Sequence, residues 1–163
     1  KKILMTFILT CASLNLLGQV NDDSIRQVIL KNNITDSLYV FGQWDESGGT
    51  ESHLKYLGLI KTPKGNFKVM TSSWYWGLSK RATNLILVYD ENNNHLGNYY
   101  VGMTYDLPEK KENNQLVFLH SKSDDCDKKT ITRLSFVNGI PNEFFLECKD
   151  GFGDIYSFDK NKN

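Results

Sequence analysis

Much familiar chemistry is missing from this chain. It holds no CxxC, no G-x-S-x-G, no G-x-G-x-x-G or phosphate-loop pattern, and no HxH or HExxH among His53, His95 and His120. The first absence removes a dithiol redox motif and a zinc ribbon. The second removes the nucleophile elbow of the α/β-hydrolases. The third leaves nucleotides without a binding loop, and no cofactor is expected. The fourth means that a histidine metal site would have to assemble in three dimensions.

Excess charge is missing too. The 163 residues carry 19 basic and 19 acidic side chains, a formal net charge of zero. A neutral chain lacks the electrostatic footprint of a binder of nucleic acid or anionic lipid, so neither partner is expected. Proline is scarce. Pro63, Pro108 and Pro141 are the only three, and each falls between candidate strands, where sheets tolerate it. A mean hydropathy of −0.42 with 23% charged residues points to a soluble protein rather than a membrane barrel.

What is present begins with a leader-like segment. Lys1 and Lys2 precede ILMTFILTCASLNLLG, which is uncharged, mainly apolar, and ends in small residues. That order matches a secretory signal peptide and is too short and interrupted for a membrane-spanning helix. Cleavage after Ser13 has the better small-x-small pattern, and cleavage after Gly18 leaves a longer apolar region. The segment 1–18 is taken as the signal peptide. Lipid anchoring at Cys11 is a lesser alternative, because Thr10 stands where a glycine, alanine or serine is expected. The mature chain is thus expected in the periplasm or the extracellular space, with no transmembrane span. Loss of Lys1 and Lys2 leaves 17 basic residues against 19 acidic ones, a formal charge of −2. Two cysteines remain, Cys126 and Cys148, and an isolated pair in an exported protein reads as a disulfide.

The residues 19–36 predict a short helix and a linker. Asp22 or Asp23 caps it, and Ile25, Val28 and Ile29 share one face at helical spacing. From 37 to 159 the pattern is β. Nine candidate strands follow at 38–44, 53–61, 66–76, 83–90, 95–103, 115–120, 130–136, 143–148 and 154–158. Turn residues such as Asn138-Gly139 and Asp150-Gly151 separate the later ones. No crossover helix intervenes, so the expected fold is an all-β antiparallel meander, closed as a barrel or folded as a sandwich. The residues 160–163 are expected to be a disordered tail.

Two acidic loops invite a cation. Asp90-Glu91-Asn92-Asn93-Asn94 begins like a calcium loop, but His95 and Val101 stand where glycine and glutamate are needed. Turn chemistry explains it better. Asp124, Asp125 and Asp127 form a denser cluster of hard oxygens and are retained as a weak calcium candidate, although a solvated loop explains them equally.

The aromatic stretch SSWYWGLSKRATN is the leading binding candidate. Strand alternation places Trp74 and Trp76 on one face with Met70 and Ser72, and Tyr75 on the other with Phe67 and Val69. One aromatic face must therefore meet water or be covered. Trp74, Trp76, Arg81 and Trp44 form the candidate ligand platform, for a glycan or another protein. Core packing of the same rings is the competing explanation, since cross-strand aromatic pairs are ordinary sheet stabilisers. The expected function is that of an exported, bacterial-type, non-catalytic binding or envelope-associated module. Two alternatives stand beside it: a carbohydrate-binding module using those tryptophans, and a small secreted or periplasmic hydrolase whose acid/base pair assembles in space.

Overall fold

The computed structural model describes residues 23–161. The expected signal peptide, both cleavage sites and Cys11 lie outside the described residues, as do the last two positions of the chain.

The helix α1 spans Asp23–Asn32, with Asp23 in its first turn, where the helix dipole favours an acid. Asn33, at φ 54°, closes it, and its N–H donates to the Ile29 carbonyl at 3.2 Å. The buried stripe is shifted from the expected one. Ile29 and Leu30 are buried, Ile25 packs beside them, and Val28 faces outward.

Among the described residues ten strands follow, one more than the sequence pattern indicates. They are β1 (Leu38–Gly42), β2 (Glu51–Thr62), β3 (Gly65–Trp76), β4 (Arg81–Tyr89), β5 (His95–Val101), β6 (Lys110–Glu112), β7 (Gln115–Leu119), β8 (Ile131–Ser135), β9 (Glu143–Lys149) and β10 (Phe152–Lys160). The unforeseen strand is β6, three charged residues with no alternation to reveal them. Lys160 pairs with Gly97, and the Asn161 N–H donates to the Leu96 carbonyl, so order extends into the segment expected to be a tail.

Among the described residues the strands form two antiparallel sheets and no closed barrel. The larger runs β1-β2-β3-β4-β5-β10-β9, and the smaller runs β6-β7-β8. The fold is an all-β sandwich-like one. Between the sheets, Ile60, Val69, Ile86, Val88, Tyr99 and Val101 meet Leu116, Phe118 and Leu134. On the outer face of the large sheet, α1 presses Ile29 and Leu30 onto Leu54, Tyr56, Met70, Leu87 and Tyr89. Burial of each such side chain contributes about 1.5–3 kcal/mol before the entropy of ordering is counted.

A β-bulge in β2 divides that strand between the two cores. The register shifts between Tyr56 and Gly58, so Tyr56 faces α1 while Leu57 and Ile60 face the small sheet. Gly58 takes φ +115°, which side-chain-bearing residues rarely adopt, and a Cβ there would sit 3.1 Å from Lys111 Cε. Cys126 and Cys148 form a disulfide, joining the loop after β7 to β9 across 22 residues.

Candidate functional site

The apolar core between the sheets gives way to polar side chains along β3. Along β3, the side chains facing the small sheet run Phe67, Val69, Thr71, Ser73, Tyr75. The apolar members pack in the inter-sheet core, and the hydroxyls begin where it stops. The paired stretch of β2 makes the same change. Ile60 is core, whereas His53 lies opposite Ser73 and Lys55 opposite Thr71.

A cleft of about 570 Å³ opens there. Its large-sheet wall is mostly polar, with His53, Lys55, Thr71 and Ser73. The facing wall comes from the segment joining β5 to β6 and from the end of β7. Tyr105, Leu107, Pro108 and Leu119 make half of it apolar, and Thr104, Glu109, Ser121 and Lys122 make the other half polar.

The polar groups are held by specific partners. His53 Nε2 lies 2.5 Å from Glu51 Oε1. The hydrogen bond from His53 is the main cause that holds the Glu51 carboxyl below the usual glutamate range. The Lys55 ammonium donates to the Glu109 carbonyl at 2.7 Å and sits 3.4 Å from Asp36. The Ser73 hydroxyl donates to Asn84 Oδ1 at 2.9 Å. Ser121 donates to the Glu109 carboxylate at 3.2 Å. Burial pushes the Tyr105 phenol up, so it stays neutral and able to donate.

The four residues of the expected aromatic platform fall into two groups. Trp74 and Trp76 stand on the outer face of the large sheet, stacked on each other with centroids 5.7 Å apart. The Arg81 guanidinium lies 5.7 Å over the Trp76 ring, and Trp76 Nε1 donates to Thr83 Oγ1 at 3.1 Å. Both rings are half-buried, and the Trp74 indole N–H is buried with no partner among the described residues. Trp44 belongs elsewhere. Its Nε1 donates to the Gly77 carbonyl at 2.8 Å, and its ring shares the Lys80 ammonium with Tyr75, at 5.0 Å and 5.6 Å. Tyr75, a wall of the cleft, also meets the His53 ring edge-on at 5.0 Å. Alternation predicted the opposed faces of Tyr75 and the tryptophans. It had no means of pairing Trp44 with Tyr75, because that contact joins the loop after β1 to the β3–β4 hairpin.

The three histidines stay apart. His53 lines the cleft, His95 packs on Tyr89 at 5.2 Å, and His120 is fully buried with Nε2 2.6 Å from the Glu147 carbonyl. Among the described residues no group of three or more His, Cys, Asp and Glu side chains converges to hold a metal ion. That includes Asp124, Asp125 and Asp127, whose loop is tied instead by the Ser123 hydroxyl accepting the N–H groups of Asp125 and Cys126. Asp90 is a turn residue, accepting the N–H groups of Asn92 and Asn94, each at 2.8 Å. Sequence reasoning missed the cleft-lining Thr71, Ser73, Tyr105 and Ser121, whose types are common and which are spread over 50 positions of the chain.

No family model matches this chain, and neither a curated protein nor a solved structure matches it.

Proposed function

We propose that the protein is an exported, non-catalytic binding module that holds a small ligand in the cleft between its sheets. One observation carries this: the inner face of β3 changes from core side chains to hydroxyls where the cleft lies. Thr71 and Ser73 line the cleft with little surface exposed, and the Ser73 hydroxyl is paired with Asn84, so the cost of a polar group below the surface is offset there. The cleft volume, about 570 Å³, falls in the range of small-molecule sites. Export rests on the leader-like N-terminus and is supported by the disulfide, which suits an oxidising compartment. No helix among the described residues is long and apolar enough to cross a membrane.

Thermal-shift screening tests the proposal. The panel holds sugars, amino acids, nucleosides and aromatic acids, with Ser121→Trp as the control that fills the cleft mouth from an exposed position. A cleft ligand raises Tm in the wild type and leaves Ser121→Trp unchanged. Hits that shift both proteins equally refute the cleft as the site.

A hydrolase is the second reading, favoured by one contact, the His53–Glu51 pair on the cleft wall. A histidine oriented by a carboxylate is a general-base arrangement. Turnover of chromogenic esters or glycosides that disappears in His53→Ala would establish it.

A further inference from the structure

Away from the cleft, at the Phe67 end of β3, the inter-sheet core comes to the surface. Among the described residues four partly buried apolar side chains pack against that core. Three of them, Leu96, Ile140 and Phe158, line one hollow of about 430 Å³ together with Phe67. Such a volume lies in the range of small-molecule sites.

The walls of this hollow are fixed by contacts of their own. Phe67 packs on Phe136 with centroids 6.0 Å apart, and Phe158 on Tyr99 at 5.0 Å. The loop from β8 to β9 supplies Gly139, Ile140 and Asn142 to the lining and is tied at three points. The Gly139 N–H donates to the Phe136 carbonyl at 2.8 Å, and the Phe158 N–H to the Asn142 carbonyl at 2.7 Å. The Tyr99 phenol donates to the Pro141 carbonyl at 2.6 Å. A ligand seated there has little wall to order, which favours binding.

The charge of the lining is one-sided. Lys64 and Lys160 belong to it, and no acidic side chain does. Neither ammonium has an ion-pair or hydrogen-bond partner among the described residues. Both lysines are exposed, so their attraction for an anion is modest and screened by salt.

We propose that this hollow binds an amphipathic carboxylate, with its apolar body on Leu96, Ile140 and Phe158 and its head toward Lys64 and Lys160. A neutral amphiphile would leave both ammonium groups without a counter-charge. A wholly polar anion would leave the apolar side chains against water. A cationic amphiphile would meet like charge.

Isothermal titration with hexanoate and 3-phenylpropanoate tests the proposal. Hexanol, acetate and hexylammonium are the comparison probes: the tail without charge, the charge without tail, and the tail with charge reversed. Wild-type protein is expected to bind at least one of the two acids about fivefold or more tightly than hexanol, with acetate and hexylammonium weaker still. The double variant Lys64→Gln, Lys160→Gln is expected to lose the preference for acid over hexanol. Asn142→Trp, which fills the hollow from an exposed position, is expected to abolish acid binding, and Ser121→Trp in the cleft to leave it unchanged. Unchanged Tm in the unliganded variants checks that they fold. Equal binding of acids and hexanol by wild type overturns the proposal, as does an acid preference that survives loss of both lysines. Acid binding that survives Asn142→Trp, or that disappears in Ser121→Trp, places the acid elsewhere and overturns it too. So does the absence of binding heat from either acid at about 10 mM, a concentration that reveals a Kd in the millimolar range.

Discussion

His53 Nε2 stands 2.5 Å from a carboxylate oxygen of Glu51, two residues earlier on β2, and both side chains face the cleft side of the sheet. The pair lies at the strand's open end, where Glu51 is opposite Tyr75 and His53 opposite Ser73. The position explains the contact. Alternation puts residues two apart on the same face, and the neighbouring strand fixes both backbones.

The Glu51 carboxyl is held below its ordinary value chiefly by the hydrogen bond from His53. A carboxyl with a depressed folded pKa adds stability above its unfolded pKa, and that stability is lost as pH falls through the folded value. His53→Ala is therefore expected to raise the Glu51 titration midpoint toward 4.5, read by carboxyl NMR. The variant should also lose part of the wild type's resistance to acid. An unmoved midpoint would show that the bond does not govern Glu51.

The disulfide joins residues 22 apart. Closing a loop of that length restricts the unfolded chain and stabilises by about 3 kcal/mol. Urea unfolding of a Cys126→Ala, Cys148→Ala double variant should show a loss of that order. A loss below about 1 kcal/mol would mean that the unfolded chain is little restrained by the crosslink.

The stacked tryptophans should respond differently to phenylalanine. Trp76 Nε1 donates to Thr83, whereas Trp74 Nε1 is buried with no partner among the described residues. Trp76→Phe removes a hydrogen bond and should cost about 1 kcal/mol. Trp74→Phe removes a buried, unpaired donor, so the lost contact area is offset by relief of its desolvation. Urea midpoints of the two variants test the order, and a larger loss for Trp74→Phe would contradict it.

Gly58 carries the bulge that divides β2 between two cores. Its φ of +115° and the nearby Lys111 and Thr35 side chains leave little latitude for a Cβ. Gly58→Ala should destabilise by about 1–3 kcal/mol, the cost of a side-chain residue in a sparsely populated backbone region. Equilibrium unfolding measures it, and a neutral result would mean that the bulge relaxes easily.

Buried hydroxyl chemistry outside the cleft gives a further prediction. Tyr156 donates to the buried Asp106 carboxylate at 2.9 Å, and burial is the main cause that pushes its phenol up. Asp106 also accepts the Met103 N–H at 2.9 Å. Tyr156→Phe leaves the carboxylate with one donor fewer and should cost about 1.5–3 kcal/mol in urea unfolding, the range for a hydrogen bond to a charged group. A cost below about 0.5 kcal/mol would indicate that water replaces the phenol.

Local sequence carried the fold class well. Period-two alternation, polar turns and the absence of crossover segments all point to an antiparallel β protein, because each is a property of a few neighbouring residues. The opposed faces of Tyr75 and the tryptophans follow from the same parity. The helix was legible from its spacing, yet its buried stripe was not. Which of Val28 and Leu30 faces inward depends on where α1 lands on the sheet. The strand β6 escaped because Lys110, Lys111 and Glu112 carry no alternation, and partnership with β7 alone makes them a strand.

By itself, then, the amino-acid sequence determined an all-β chain, a cysteine pair able to bond, and an aromatic strand with two unlike faces. These depend on residue type and short-range periodicity. Only the tertiary structure decided that a cleft lies at the polar end of β3, that Trp44 sits with Tyr75 and not with Trp74, and that the cleft is walled by ordinary hydroxyls. A single bulge at Gly58 and the pairing of distant strands set those relationships. Neither leaves a local signature, since one inserted residue reverses every face beyond it without altering the composition.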